Sequence, residues 1–169
     1  LIIDIQNCIK AQESKGYEHW SKIYNLKQAA KTLNFLTENN LTTYEDLETA
    51  ANKIHSDFDN TAQKIKAIEK TINENAILIK QLEIYRQYRS IYLKLQKVKN
   101  KEGFTRKFQR ELILYEAAER NLKGKNPPPL ETLIKDNGDL SERKAKLYKE
   151  YKKLKTKSAE IEVIRSNVD

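Results

Sequence analysis

The chain has few residues that interrupt a helix and almost none that could cross-link it. Its 169 residues include four glycines, three prolines and a single cysteine, Cys8, and 8% of them are aromatic. Scarce Gly and Pro, with a third of the residues charged, are typical of long helices. One cysteine excludes an intramolecular disulfide and suits a reducing compartment, so we expect a cytoplasmic protein.

Two further absences concern membranes and the ends of the chain. No apolar run approaches the roughly 20 residues that span a bilayer, so no membrane insertion is expected. The opening LIIDI is too short for a signal peptide and lacks its basic leader. Because the chain contains no methionine, we interpret residues 1–169 as a single helical domain cut from a longer protein.

The residues that catalysis or metal binding requires are also sparse. The only histidines, His19 and His55, lie about 36 residues apart, and neither sits in a cluster of Cys, Asp or Glu with ligand spacing. No glycine-rich phosphate loop is present. Cys8 lies in an apolar segment and is predicted to pack rather than react. We therefore expect no catalytic residue, no metal site, no cofactor and no enzymatic activity in this segment.

Positive charge is concentrated in the middle of the chain. The net charge of +8 divides into −2 over residues 1–79, +7 over residues 80–123 and +3 over residues 124–169. Clustering of this kind indicates an anionic partner more than a type of fold.

Apolar residues at spacings of three and four predict helices along the whole chain. A short helix is expected to end near Gly16, and a second to run from about Tyr17 to Glu38. A capping box at Thr42 to Glu45 would start the next helix. One stripe of the second helix is predicted to be buried: Trp20, Ile23, Leu26, Ala30, Leu33 and Leu36.

The third helix is predicted to extend over residues 43–99. Its apolar positions alternate steps of four and three over five heptads without Gly or Pro, which is typical of a coiled-coil seam. Asn75 occupies one seam position and could fix the register by a hydrogen bond across the coil. The predicted seam consists of Leu47, Ala51, Ile54, Phe58, Thr61, Ile65, Ile68, Ile72, Asn75, Ile79 and Leu82.

Two more helices are predicted, over residues 104–123 and 139–168, with the stiff turn GKNPPP between them. Asp139, followed by Glu142, would cap the last helix, whose leucines recur at intervals of seven. The fold class is therefore all-α: an elongated helical domain with a long antiparallel coiled-coil hairpin and shorter packed helices. The alternative is that the heptads pair between two chains and form a dimer.

The stretch YRQYRSIYLKLQKVKNK, residues 85–101, places tyrosines and cations on opposite sides of a helical wheel. Tyr85, Tyr88, Leu95 and Val98 share an apolar arc, so the rings are predicted to pack rather than stack on bases. The cations form either a solvated face or a phosphate-binding surface of DNA or RNA, and the shortage of acids favours phosphate. The predicted nucleic-acid-binding residues are Arg86, Arg89, Lys94, Lys97, Lys101, Arg106, Lys107 and Arg110.

One long segment, GYEHWSKIYNLKQAAKTLNFLTENNLTTYEDL, resembles the region after the nuclease domain in relaxases of conjugative and mobilizable elements of gut bacteria. The likeness continues through IKAIEKTI, GFTRKF, ELILYEAA, LYKEYKKLK and the terminal SNVD, in that order along the chain. Trp20, the block LKQAAKTL and the last three residues are its most specific parts. The chain departs from the family at Gln87-Tyr88-Arg89, where a lysine-threonine-arginine run is usual, and it is about one helical turn shorter between Tyr92 and Gly103.

The resemblance implies a role in DNA mobilization. Relaxases nick one DNA strand at an origin of transfer, stay attached to it through a tyrosine, and pilot it into a recipient cell. Their catalytic tyrosine and metal-binding histidines would lie before this segment. The resemblance therefore implies a non-catalytic accessory domain that binds DNA or docks to coupling and accessory transfer proteins. The alternative is a purely structural coiled-coil interaction module.

Overall fold

The computed structural model describes residues 2–168, and within them the structure has six α-helices and no strand. The predicted all-α fold is confirmed. Leu1 and Asp169, which belong to the predicted first helix and to the terminal motif, lie outside the described residues. The helices are α1 (Ile9–Glu13), α2 (Lys15–Glu38), α3 (Tyr44–Lys97), α4 (Lys101–Lys107), α5 (Gln109–Leu122) and α6 (Leu130–Val168).

The chain divides into two compact units. Unit 1 comprises the residues up to Gln63 and those from Tyr148 onward, and unit 2 comprises Lys64–Leu147. α3 and α6 each contribute one part to each unit.

The first predicted helix is shorter than expected. Only Ile9–Glu13 is helical, because the Asp4 carboxylate accepts hydrogen bonds from the backbone N–H groups of Gln6 and Asn7 and holds a turn there. Gly16 does not end this helix. It lies inside α2, whose N-cap is Ser14.

The predicted buried stripe of α2 is wrong. Apart from half-buried Leu36, its members are exposed, and α2 instead buries the opposite side of the helix, including Ser21 and Thr32. Polar pairs contribute to this orientation. Thr32 Oγ1 accepts a 3.0 Å hydrogen bond from Asn167, and the Asn25 amide makes two 2.8 Å hydrogen bonds with the backbone of Ile3.

The long helix is confirmed as one continuous element, Tyr44–Lys97, of 54 residues and about 80 Å. Its N-cap is Thr43, but the reciprocal partner is Asp46 rather than the predicted Glu45. The Thr43 hydroxyl accepts from the Asp46 N–H at 3.1 Å, and the Asp46 carboxylate accepts from the backbone N–H groups of Thr42 and Thr43. These hydrogen bonds, those with Thr43 first, lower the pKa of Asp46.

In unit 1, α3 and α6 pair antiparallel. Glu48 contacts Arg165 at 2.6 Å, His55 contacts Glu162 at 2.8 Å, and the rings of Phe58 and Tyr151 stack with centroids 4.8 Å apart. Partner numbers on α6 fall as those on α3 rise, which confirms the predicted hairpin pairing within this chain. The core of the unit consists of Leu47, Ala51, Ile161 and Ile164.

The same pairing holds within unit 2, where Glu69 contacts Lys144 and Arg86 contacts Glu131. Every predicted seam position of α3 is buried or half-buried across the two units. On α6, Leu140, Leu147, Leu154 and Ile161 are likewise buried or half-buried, and Val168 is exposed.

The last helix begins earlier than predicted, at Leu130 rather than Asp139. Asp139 therefore lies within α6 and caps nothing. Gly138 lowers helix stability by about 1 kcal/mol relative to alanine, but burial of Leu133 extends the apolar stripe about two turns upstream of Leu140 and outweighs that cost. The turn before it, at GKNPPP, is confirmed, with positive φ angles at Gly124 and Asn126.

The predicted helix over residues 104–123 is two helices. α4 starts at Lys101, so Gly103 lies inside it. The helix is interrupted at Phe108, whose φ and ψ of −117° and 27° are not helical. The apolar face of α5 is as predicted, with Leu112, Tyr115 and Ala118 buried.

Asn75 makes the predicted hydrogen bond across the coil. Its Nδ2 donates to Asn137 Oδ1 at 3.0 Å, and Asn137 Nδ2 donates to the backbone carbonyl of Ile72 at 3.3 Å. A half-buried amide pair of this kind selects one register, because a slip would leave both amides without partners.

Removing one member of this pair should cost more than removing both. We expect Asn137→Leu to lower the free energy of unfolding by about 1–3 kcal/mol, because the Asn75 amide loses its partner. The double variant Asn75→Leu, Asn137→Leu should recover most of that loss. Urea unfolding of the wild type, the two single variants (Asn75→Leu and Asn137→Leu) and the double variant measures the coupling energy between the two amides. Strictly additive effects would show that the amides do not interact.

Candidate nucleic-acid interface

The tyrosines of residues 85–92 pack against α5. Tyr115 of α5 lies between Tyr85 and Tyr92, with ring centroids 5.0 and 4.5 Å apart, and is almost fully buried. The structure leaves half-buried the four residues predicted to be buried: Tyr85, Tyr88, Leu95 and Val98. Because the rings of Tyr85 and Tyr92 are stacked on Tyr115, these two do not form an open platform for bases.

The eight predicted cations are all exposed and all belong to unit 2. We call them the basic surface: Arg86, Arg89, Lys94, Lys97, Lys101, Arg106, Lys107 and Arg110.

Half of the basic surface is engaged within the protein. Arg86 pairs with Glu131 at 2.9 Å, which raises the pKa of the arginine, and Arg106 pairs with Glu102 at 2.9 Å. The Arg89 guanidinium lies 5.9 Å from the centroid of the Tyr85 ring, and the Lys107 ammonium lies 5.5 Å from that of Phe108.

The other half forms what we call the unpaired quartet: Lys94, Lys97, Lys101 and Arg110. Among residues 2–168 none of these four has an ion-pair partner, whereas nine other pairs of charged side chains lie within ion-pairing distance. Exposed cations without an ion-pair partner are available to an external anion.

The turn from α3 into α4 positions the quartet. Asn100 caps α4 by accepting a 2.9 Å hydrogen bond from the Gly103 N–H. A Cβ at residue 103 would lie 2.8 Å from the Asn100 amide nitrogen, so glycine permits this close approach. After the break at Phe108, an open groove of about 560 Å³ is lined by Arg106, Lys107 and Arg110 together with Ile113 and Leu114.

A second basic face lies on α6 in unit 1 and was not predicted. Its five lysines are exposed, and Lys152 lies 5.4 Å from the centroid of the exposed Tyr148 ring. A charge count over a short window would have found it, since residues 143–157 carry eight bases and one acid. Summing over residues 124–169 hid the excess behind acids on either side. The lysines are Lys149, Lys152, Lys153, Lys155 and Lys157.

A serine, a histidine and a glutamate also meet in unit 1. The Ser158 hydroxyl lies 3.2 Å from His55 Nδ1, and His55 Nε2 lies 2.8 Å from Glu162. With the proton on Nε2, the imidazole donates to the carboxylate and accepts from the serine. The hydrogen bond from His55, and then that from Arg165, lower the pKa of Glu162.

This arrangement has a base beside a hydroxyl but no oxyanion hole. Ser158 lies inside α6, where backbone N–H groups are bonded to the carbonyls of the preceding turn and do not point at a substrate. Glu162 is also largely exposed, unlike the buried carboxylate of a serine hydrolase. The contacts join α3 to α6 and suit a structural network.

Neither a metal centre nor a bilayer-spanning segment is found in the described part of the chain. No three His, Cys, Asp or Glu side chains of residues 2–168 come together as a metal ion requires. None of the helices there combines the length and the apolar character needed to cross a membrane. Comparison of the chain with protein-family models, with curated proteins and with solved structures found no match.

Proposed function

We propose that this chain is a non-catalytic accessory domain of a conjugative DNA relaxase and that it holds DNA by its phosphates through the basic surface. The observation that carries the proposal is the unpaired quartet: four exposed cations within one unit, none of them paired with a carboxylate of residues 2–168. The resemblance of residues 16–47 to relaxases supplies the class of protein.

Phosphate fits this surface better than bases or a solvated face. Cations that neutralise phosphates release condensed counterions, which gives affinity without reading sequence. Two of the aromatic rings beside the basic surface, those of Tyr85 and Tyr92, are stacked on Tyr115 and are not free to stack on bases. A solvated face normally mixes its charges, as α3 does near the Lys70–Glu74 pair.

The absence of catalysis is part of the proposal. Ser158 should resist a fluorophosphonate probe, because nothing around it would stabilise the developing oxyanion. Labelling of the wild-type chain, lost in Ser158→Ala, would overturn this part and leave the DNA-binding part standing.

The second candidate is a structural module that binds another protein, and the exposed apolar side chains of α2 favour it. The two functions differ in their response to salt, since phosphate contacts are screened and apolar contacts are strengthened.

A charge-matched pair of variants tests the proposed function. Changing the unpaired quartet to glutamine should weaken binding of a fluorescein-labelled oligonucleotide about tenfold or more at 0.1 M salt. The melting temperature should barely move, since each surface change stays within about 0.5 kcal/mol.

The control variant removes an equal number of positive charges from another part of α3, where acids and bases mix. It changes Lys53, Lys64, Lys66 and Lys70 to glutamine, all of them exposed. Binding by the control should stay near that of the wild type. Equal losses in the two variants would mean that net charge, and not the basic surface, attracts the DNA.

A further inference from the structure

α2 buries polar side chains and exposes its most apolar ones. Ser21 is 0% exposed and its hydroxyl has no hydrogen-bond partner among residues 2–168, whereas Leu26 is 71% exposed and Leu33 is 65% exposed. Burying an unpaired hydroxyl costs free energy, and exposing leucines forgoes a gain of about 1.5–3 kcal/mol each. This pattern is expected when the exposed side of a helix is covered by something else.

The exposed apolar residues form a stripe with the spacing of a helix-packing seam. They occur at steps of three, four and three over three turns, and on a helical wheel they lie opposite Ser21 and Thr32. Partners that bind as a helix use anchors at this spacing. We call the set the α2 stripe: Ile23, Leu26, Ala30 and Leu33.

The edges of the α2 stripe are basic. Lys22 borders it on one side and Lys27 on the other, and Lys15 lies about two helical turns before its first residue, all three exposed. Glu18 pairs with Lys22 at 2.5 Å, whereas Lys15 and Lys27 have no ion-pair partner among residues 2–168. Charges beside an apolar seam select its partner.

We propose that the α2 stripe is a docking site for an amphipathic helix of another protein whose apolar residues are flanked by Asp or Glu. The apolar side chains would cover Leu26 and Leu33, and the acids would meet Lys15 and Lys27. The α2 stripe shares no residue with the basic surface, which belongs to unit 2, whereas α2 belongs to unit 1.

A second copy of this chain fits the α2 stripe poorly. Pairing two α2 helices would bring lysine-flanked edges together, and like charges across a seam are repulsive. The stripe is also about 15 Å long, so it cannot supply the roughly 800 Å² per partner that a stable dimer buries. Weak, charge-selected binding of a helix suits it better.

The only tryptophan of the chain, Trp20, lies three residues before Ile23, and its ring contacts those of Tyr17 and Tyr24 with centroids 5.4 and 5.3 Å away, so its emission serves as a neighbouring reporter of this site. The probe is a three-heptad peptide with Leu at its seam positions and Glu beside them. Adding it should shift Trp20 emission to the blue with saturation. A peptide with the same leucines and Lys in place of Glu should bind at least tenfold more weakly.

Two variants and one control fix the site. Leu26→Lys with Leu33→Lys should abolish the Glu peptide's effect, whereas Ile77→Lys, at a residue of α3 that is 62% exposed, should leave it unchanged. Lys15→Glu with Lys27→Glu should reverse the preference and favour the Lys peptide. Melting temperatures near that of the wild type would confirm that these exposed changes preserve the fold.

Three results would overturn the proposal. If the two peptides bind equally well, or if neither binds, the partner of the α2 stripe is not a helix selected by its charge. A dimer in sedimentation that Leu26→Lys with Leu33→Lys dissolves would make a second copy the occupant. If an oligonucleotide displaces the Glu peptide from the unpaired-quartet variant as well as from the wild type, the α2 stripe would be a nucleic-acid site.

Discussion

Tyr115→Ala should lower the free energy of unfolding by about 3–5 kcal/mol, the usual cost of truncating a buried aromatic side chain. The ring of Tyr115 stacks between Tyr85 and Tyr92, so its removal leaves a cavity and breaks two aromatic pairs. Urea unfolding followed by circular dichroism measures the loss. A cost below about 1 kcal/mol would show that α5 does not pack on the tyrosines of α3.

Tyr115→Phe is the matched control, because it keeps the ring and removes only the hydroxyl. Burial, and then the hydrogen bond with Tyr85, raise the pKa of Tyr115 well above its ordinary value near 10. The neutral phenol is therefore favoured in the folded state. The raised pKa of Tyr115 makes its full contribution to the free energy of unfolding below a pH of about 10. That contribution is lost as the pH rises above about 10, because Tyr115 of the unfolded chain then ionises while the folded chain still holds the proton.

The phenylalanine variant should thus lose less stability than the wild type as the pH is raised above about 10. Urea unfolding at several alkaline pH values gives the comparison. The same decline in both proteins would mean that the Tyr115 phenol ionises as freely in the folded chain as in the unfolded one.

Leu47→Ala should lower the free energy of unfolding of unit 1 by about 2–5 kcal/mol. Leu47 is 1% exposed and contacts the core that includes Ile161 and Ile164, with Phe35 and Leu36 of α2 packed against it. The alanine leaves a cavity where three helices meet. Thermal and urea unfolding measure the effect.

Ile77→Ala on the same helix is the control, since this side chain is largely exposed. It should change stability by no more than about 0.5 kcal/mol. If the two alanines cost the same, the core of unit 1 would not lie where Leu47, Ile161 and Ile164 place it.

The long helix and its pairing could be predicted because local signals agree along it. No Gly or Pro interrupts Tyr44–Lys97, the apolar steps alternate four and three, and the threonines before it supply a cap. The hydrogen bond of Asn75 could be predicted equally well, since an asparagine among the isoleucines of the seam needs a partner across the coil. Its partner, Asn137, was not identified, because the last helix was predicted to begin only at Asp139.

The errors arise where tertiary contacts outweigh local preference. A hydrophobic count assigned the wrong face of α2, since it gives no weight to polar pairs such as Thr32 with Asn167, 135 residues apart. Gly138 and Asp139 resemble a helix boundary, yet Leu133 continues the packed stripe and keeps α6 intact. The break at Phe108 has no clear marker in the sequence.

The candidate interface shows the same division. Exposure of the five cations of residues 85–101 follows from their position on a helical wheel, and the structure agrees. The pairing of Arg86 depends on Glu131, 45 residues away, and could not be predicted, whereas Arg106 pairs with Glu102 only four residues before it. The contact of Ser158 with His55 joins residues 103 positions apart and likewise has no local signature.

The salt dependence of DNA binding tests the central claim most directly. If the unpaired quartet neutralises four phosphates, these contacts alone contribute a slope of about −2.8 to log K against log salt for single strands, and about −3.6 for duplexes. Fluorescence anisotropy across salt concentrations should give a slope at least this steep for the wild type and for the Lys53, Lys64, Lys66, Lys70 control. It should flatten by that amount in the quartet variant. A wild-type slope near zero, or one that the quartet variant leaves unchanged, would contradict phosphate binding by this surface.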